Sequence, residues 1–329
     1  YQRSTVGGWL ATRAAGHYAA ALQHVDDLVE AVRAVTPAGL WASRRLPGSG
    51  AGPSPDRLLL GSEGTLGVIT EAWLRLQRRP AFRARATLAA PDLRTGARAL
   101  RAIVQDGPAP ATCRLVDATE SALTGTLSTG EAALVLGAES ATAPVADELA
   151  AAVASAVDLG LRALPTGNPA GDSWRSAFLR APYLRECLVL CGVLVETFET
   201  AVPWSALDEL VDTVTAATGA ALRAVCGGGT VSCRITHAYP DGAAPYFTVL
   251  APARRGSELA QWAEIEAAAK DAVLAAGGTI THHHAVGRDH RRWYDRQRPE
   301  PFAAALAGAK AALDPAGILN PGVLLDPRR

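Results

Sequence analysis

No methionine occurs in the 329-residue chain, and the first residue is Tyr1, so the sequence reads as the interior of a longer one. Aromatic residues make up only 5% against abundant alanine, which predicts small-faced, closely packed helices. Charge of neither sign is in excess: 32 lysines and arginines face 32 aspartates and glutamates. No nucleic-acid partner is expected, because a phosphate backbone demands surplus positive charge. No apolar run reaches the roughly 18–20 residues of a transmembrane segment, and no signal peptide is read at the start. The five cysteines are Cys113, Cys187, Cys191, Cys226 and Cys233. An odd set argues against a disulfide framework and for a reducing, cytoplasmic setting. Cys187 and Cys191 have a spacing unlike zinc pairs and fall in a predicted strand, where they read as buried free thiols.

What the chain does have is glycine, concentrated in Gly61-Ser62-Glu63-Gly64-Thr65-Leu66-Gly67-Val68-Ile69-Thr70. Three glycines spaced by three keep one side of the backbone bare, so a flat or anionic ligand can approach it. Successive N–H groups in such a loop form a concave nest suited to a phosphate or a ring edge. Val68 and Ile69 begin a β-branched run that predicts a strand leaving the loop. A plain glycine turn between two strands is the competing reading. Ser4 to Trp9 forms a second glycine-bearing turn, and Asp26–Val35 alternates as a strand does.

Beyond Pro80 the pattern predicts strands at Arg83–Ala90, Thr112–Asp117, Ala132–Glu139 and Cys187–Glu196. Val231–His237 and Tyr246–Leu250 read as a strand pair. Helices are predicted at Asp92–Gln105, Val145–Leu159, Trp204–Thr218, Leu259–Ala276 and Phe302–Leu313. Short turns between neighbours favour an antiparallel sheet with helices on one face. The fold class is therefore α+β. Residues 1–80 form part of one domain, and residues 81–329 form a second whose C-terminal segment returns to the first.

Chemistry concentrates at a few places. His282-His283-His284 is followed by Ala285-Val286-Gly287. It lacks a carboxylate or cysteine at a supporting spacing, so no metal is expected. A solvated patch is one reading, and hydrogen-bond donors or proton carriers lining a cleft is the other, since imidazole titrates near neutrality. Tyr246 heads a strand, where its hydroxyl is either an acid or base, or a buried group satisfied by a carbonyl. Arg114 among apolar neighbours, and Arg185 in Tyr183-Leu184-Arg185, each call for an anion: a partner carboxylate or a substrate.

Taken in order, the Ser4–Gly16 segment, the Gly61–Thr70 loop, the triple histidine and the closing Leu313-Asp314-Pro315 to Asn320-Pro321-Gly322 resemble one flavoprotein family, that of vanillyl-alcohol oxidase type. Within it the chain is most similar to the alkyldihydroxyacetonephosphate synthase branch. Glu196–Ala201, Cys233–His237 and Tyr246-Phe247-Thr248 point the same way. The resemblance implies an FAD-binding domain of the PCMH type and a cap domain with an antiparallel sheet covered by helices. It places Ser4, Thr5, Gly8, Thr12, Arg13, Gly61, Ser62, Glu63, Gly64, Thr65, Leu66, Gly67, Val68 and Ile69 against FAD. Tyr246 matches the acid/base tyrosine, and His282, His283 and His284 match catalytic histidines near the flavin. Arg185 and Arg114 match substrate-binding arginines, whose planar forks suit a phosphate or carboxylate.

The implied function is an FAD-dependent reaction on a small-molecule or lipid-like anionic substrate, with ether-lipid precursor formation as its specific form. A homodimer is an allowed assembly. An FAD-dependent 2-hydroxy-acid dehydrogenase is the rival enzyme, disfavoured because that branch carries Gly-Glu-His where this chain has three histidines. A non-catalytic remnant is the rival from another class. The chain departs from the family pattern where Gln23-His24 replaces a tyrosine-glycine pair and Ala285 replaces a glycine. The family's pyrophosphate loop would precede Tyr1, so this stretch by itself is expected to hold FAD weakly.

Overall fold

The computed structural model describes residues 4–16, 24–107, 110–165 and 170–326; Gln23 lies outside them. The chain divides into two units, Tyr1–Arg78 with Ile280–Arg329, and Arg79–Thr279.

The first unit opens with helix α1 (Val6–Ala11), then α2 (Val25–Leu28), strands β1 (Val29–Thr36) and β2 (Gly39–Ala42), α3 (Pro55–Leu59) and β3 (Val68–Leu74). The strands form an antiparallel sheet of order β2-β1-β3. Of the Ser4–Trp9 segment, expected to turn, the part from Val6 onward is helical instead. Thr5 caps α1 through its hydroxyl, and a side chain at Gly7 would press on the Ile69 carbonyl at 3.3 Å. Glycine is used there for close approach to β3. The alternation from Asp26 divides into the single turn of α2 and then β1, because Asp27 accepts from the His24 N–H at the start of that turn.

The second unit runs β4 (Phe82–Ala90), α4 (Leu93–Asp106), β5 (Thr112–Val116), α5 (Ala118–Thr124), β6 (Ala132–Ser140), α6 (Ala146–Asp158) and β7 (Arg162–Ala163). It continues with α7 (Ala170–Leu190), β8 (Val193–Glu199), β9 (Val202–Pro203), α8 (Leu207–Cys226), β10 (Thr230–Ala238), β11 (Gly242–Pro252) and α9 (Glu258–Ala275). The sheet is antiparallel, in the order β7-β4-β6-β5-β10-β11-β8, with β9 beside β11. The chain then returns to the first unit as α10 (Arg291–Gln297) and α11 (Glu300–Leu313). There Leu306, Val323, Leu324 and Leu325 share one core with Leu10, Val32, Leu59 and Leu66.

Helices cover both faces of the large sheet, not one. Gly96 of α4 lies against Leu115 on one face, whereas Gly171 of α7 lies against Thr87 and Val135 on the other. Side chains alternate along a strand, so neighbours Leu115 and Arg114 face opposite ways. The second face carries arginines and needs its own cover. Residues 187–190, expected in a strand, belong to α7, and the strand begins only at Val193. Cys187 and Cys191 are consequently exposed, not buried. A four-residue spacing suits one face of a helix, a period the short apolar run Leu188-Val189-Leu190 concealed. No helix among the described residues is long and apolar enough to cross a membrane.

The β10–β11 connection shows how tightly the sheet is closed. Gly242 pairs with Pro203 of β9, and a Cβ there would collide with the Val202 carbonyl oxygen. Gly242→Ala is expected to cost about 1–3 kcal/mol, since backbone cannot yield as a side-chain tip does. Urea unfolding measures it; an unchanged midpoint would contradict the packing described.

Candidate functional site

The Gly61–Gly67 loop is folded against α1. The Gly61 and Glu63 N–H groups donate to Leu10 O and Ala11 O at 3.0 and 2.9 Å, and those of Ser62 and Thr65 donate to Leu59 O and Ser62 O. The expected nest is therefore closed at these four amides, which the chain itself uses. Gly61 and Gly64 have φ of +77° and +74°, and Glu63 adopts +50°. A Cβ on Gly61 would lie 2.6 Å from Arg13 Cδ, so both conformation and space demand glycine. What the loop keeps is a hydroxyl. Ser62 is 3% exposed, and its Oγ has no hydrogen-bond partner among the described residues. A buried, unpaired hydroxyl is costly and marks a place where a polar ligand group belongs.

Other residues expected at this site are spent differently. Thr5 Oγ1 accepts from Gly8 N, Thr12 Oγ1 donates to Gly8 O, and Thr65 Oγ1 donates to Ser62 O. The Leu66 side chain is in the core, and Val68 and Ile69 are in β3. Arg13 crosses Gly61 to reach Asp26 at 2.8 Å, where Arg57 joins it. Burial pushes the Asp26 carboxyl up, but the hydrogen bond and charge of Arg13, with Arg57, prevail and hold it low. Ser4 is exposed just ahead of α1.

The C-terminal segment is tied to this loop by two charges. Glu63 accepts from the Val286 and Gly287 N–H groups at 2.7 and 2.8 Å, while Asn320 Nδ2 donates to Glu63 O at 2.5 Å. Burial raises the Glu63 carboxyl, and the two amide bonds offset part of that rise. Lys310 Nζ donates to Thr65 O at 2.8 Å, Leu319 O at 2.6 Å and Asp314 Oδ2 at 2.6 Å. Asp314 also accepts from Ile318 N and Leu319 N. The closing Asp-Pro-x-Gly-x-Leu-Asn-Pro-Gly segment is thus a folded clasp on the glycine loop. Sequence analysis read this segment as a family motif on a returning C-terminal stretch but passed over Lys310; the signal was an aspartate just past the helix end, four residues after the lysine.

His282 and His283 are half-buried, and His284 is exposed. Their rings meet edge to face, with centroids 5.3 and 4.8 Å apart along the run. The Nδ1 atoms of His282 and His283 are 3.0 Å apart, so one carries the proton the other accepts. His24, present in place of the family's usual residue, sets its ring 4.8 Å from that of His282. It is a fourth histidine that spacing could not reveal. Ala285 has φ of +68°, a left-handed conformation that explains why a glycine is the usual residue there.

In the second unit, Arg114, Arg234 and Tyr246 share the sheet face covered by α5 and α7. Arg234 and Tyr246 are cross-strand partners, and the Arg234 guanidinium lies 3.8 Å from the Tyr246 ring centroid. Arg234 pairs with Glu120 of α5 at 2.5 Å, both largely buried. Arg114 is 4% exposed; burial brings its pKa down to about 10, with the nearby Arg234 adding to the drop. Arg185 is exposed on α7, and its charge acts on Glu196. Arg234 and Glu120 were missed because a lone arginine and a helix glutamate carry no spacing signal until the sheet register brings them together.

Residues 79–324 match the family described as FAD linked oxidases, C-terminal domain. The chain belongs to the FAD-linked oxidases. This flavoprotein family uses FAD, and the buried Ser62 hydroxyl beside a bare glycine loop fits such a group. Curated relatives include the alkyldihydroxyacetonephosphate synthases of Caenorhabditis elegans, 30% identical over 98% of this chain and 59% of the relative, and of Trypanosoma brucei brucei, 26% identical over 99% and 57%. The mitochondrial D-lactate dehydrogenase [cytochrome] of Arabidopsis thaliana is 26% identical over 98% and 57%. The chain thus spans under three-fifths of these relatives. A solved alkyldihydroxyacetonephosphate synthase superposes with a TM-score of 0.73 at 22% identity, covering 99% of this chain and 57% of that one. A 4-ethylphenol oxidase from Gulosibacter chungangensis does so with 0.72 at 13% identity, covering 98% and 70%. At these identities the structures establish the fold: an α+β chain with antiparallel sheets, as expected.

Two outcomes follow for this FAD-linked oxidase. Replacing Ala285 with glycine is expected to raise stability by up to about 1 kcal/mol, the relieved left-handed strain exceeding the added unfolded-chain entropy; denaturant melts read it. Hydrogen bonds and Lys310 hold the Asp314 carboxyl below its ordinary 3.8, against the opposing pull of burial. A depressed folded value contributes stability that is complete above the unfolded pKa and lost as pH falls through the folded one. The stability gap between the parent and Asp314→Asn should be flat above about pH 5 and close below 3.8. A gap that widened on acidification would exclude the clasp.

Proposed function

We propose that the chain forms part of an FAD-dependent enzyme of the alkyldihydroxyacetonephosphate synthase type, acting on a lipid-like substrate with an anionic head. The single observation that carries this reading is the Tyr246 phenol set on a half-buried, arginine-bearing sheet face. It occurs in a chain aligned with the Caenorhabditis elegans synthase over 98% of its length. Tyr246 is the group that takes or gives the proton at its phenolic oxygen. Arg114 and Arg185 hold the anionic group, a role suited to charged, fork-shaped donors. FAD, when bound, supplies the electron chemistry.

Ser62 would hold FAD through its unpartnered hydroxyl, beside the open backbone of Gly64. The hydroxyls of Thr5, Thr12 and Thr65, the Arg13 guanidinium and the amides of Gly61, Ser62, Glu63 and Thr65 are engaged within the chain and shape the loop instead. His282 and His283 share one proton between their Nδ1 atoms and can pass it along the run. The triple histidine also favours this reading over a 2-hydroxy-acid dehydrogenase, whose branch carries Gly-Glu-His there. The reaction proposed is replacement of the acyloxy group of an acyl dihydroxyacetone phosphate by the alkoxy group of a fatty alcohol. The carbon–oxygen bond to the acyloxy group breaks, one to the alcohol oxygen forms, and the fatty acid leaves with the alcohol's proton.

Flavin absorbance after substrate addition separates the readings. Bleaching by acyl dihydroxyacetone phosphate, and none by lactate or glycolate, is expected of the FAD-loaded protein; the opposite pattern overturns the synthase assignment, and silence with every substrate supports a non-catalytic remnant. Tyr246→Phe should lower turnover on the order of 10²- to 10⁴-fold, the usual loss when a positioned acid or base is removed.

A further inference from the structure

The Tyr246 ring does not stand alone on its sheet face. Arg234 sits directly across from it in the β10–β11 register, with its guanidinium carbon 3.8 Å from the ring centroid. That is a stacking distance, at which the planar cation meets the negative face of the ring. An arginine has many rotamers, so something must hold it there. Its Nη1 donates to Glu120 Oε1 at 2.5 Å, and Glu120 is itself 4% exposed.

Glu120 is held in turn by the start of α5. Asp117 accepts from Glu120 N through Oδ1 at 2.7 Å and from Cys233 N through Oδ2 at 2.6 Å, while its own N–H donates to Cys233 O. One carboxylate therefore docks the first turn of α5 onto β10 beside Arg234. The chain of contacts runs from Asp117 to Glu120, to Arg234 and to the ring. Arg114 is buried on the same face, where the Arg234 charge opposes its own, and Glu120 answers the Arg234 member of that pair.

We infer that Glu120 and Arg234 are positioning residues: Glu120 locks the Arg234 guanidinium flat against Tyr246, which fixes the ring plane and the direction of its hydroxyl. The importance of that hydroxyl to catalysis rests on the function proposed above; the locking of the ring does not. Fixing a reacting group matters because small misplacements lower rates steeply.

The test has two arms. In the first, the chain carries tyrosine with isotope label at the ring edges, Tyr246→Phe assigns the signal, and NMR line shapes give the ring-flip rate. Arg234→Gln should speed Tyr246 flipping by at least about tenfold, with Tyr294 unaffected, and Glu120→Gln should give a smaller increase. Arg234→Lys keeps the charge but loses the plane, so it should resemble Arg234→Gln. Unchanged flipping in folded Arg234→Gln overturns the inference. Should that variant not fold, Glu120→Gln and Arg234→Lys decide on the same criterion.

The second arm is turnover of the FAD-loaded protein. Glu120→Gln should lower kcat on the order of tenfold or more with KM little changed; a change in KM alone overturns the positioning role. If Tyr246→Phe leaves turnover intact while ring flipping responds as described, the catalytic reading of Tyr246 fails and the positioning of its ring stands.

Discussion

The first unit depends on one half-buried ammonium. Lys310 reaches from α11 to the carbonyl of Thr65 in the glycine loop, to Leu319 and to the Asp314 carboxylate. A cation drawn out of water must be met on several sides, and all three partners have to be in place together. The result is that residues over two hundred positions apart become one object. Glu63 repeats the device with opposite sign, its carboxylate receiving the amides just past the histidine run. The glycine loop is thereby given its shape by the far end of the chain.

The same logic orders the polar face of the large sheet. A face bearing Arg114, Arg234 and Tyr246 is not stable bare or under apolar cover alone. Short α5 answers it with Glu120, and Asp117 keeps that helix in register with β10. The opposite face is apolar: Leu115 meets α4 there, and Phe198 stacks on Phe247 with centroids 5.0 Å apart. One face is thus built for packing and the other for charge, as the alternation of a strand allows.

Much of this was legible. The β10–β11 pair and the long helices announced themselves by period, and the ordered motifs pointed to a flavoprotein before any coordinates. The errors have physical causes. Ser4–Trp9 looked like a turn because glycine signals both turns and close packing, and only the nearness of Ile69 distinguishes them. Residues 187–190 looked like a strand because a short apolar run satisfies either period. The amide nest failed because nothing local discloses that Leu10 and Ala11 claim the loop's N–H groups.

What the sequence by itself determined is what local chemistry controls: periodicity, turns, the need for glycine at Gly61 and Gly64, and the family to which the motifs belong. What only the tertiary structure decided is which charges meet. Glu63 with Val286, Lys310 with Thr65, and Glu120 with Arg234 and Tyr246 are long-range pairings fixed by strand register and chain return. No window of neighbouring residues contains them. The Gly61–Thr70 loop illustrates both halves: its glycines declare a bare backbone, while the partners assembled around it leave the Ser62 hydroxyl as the polar group still to be answered.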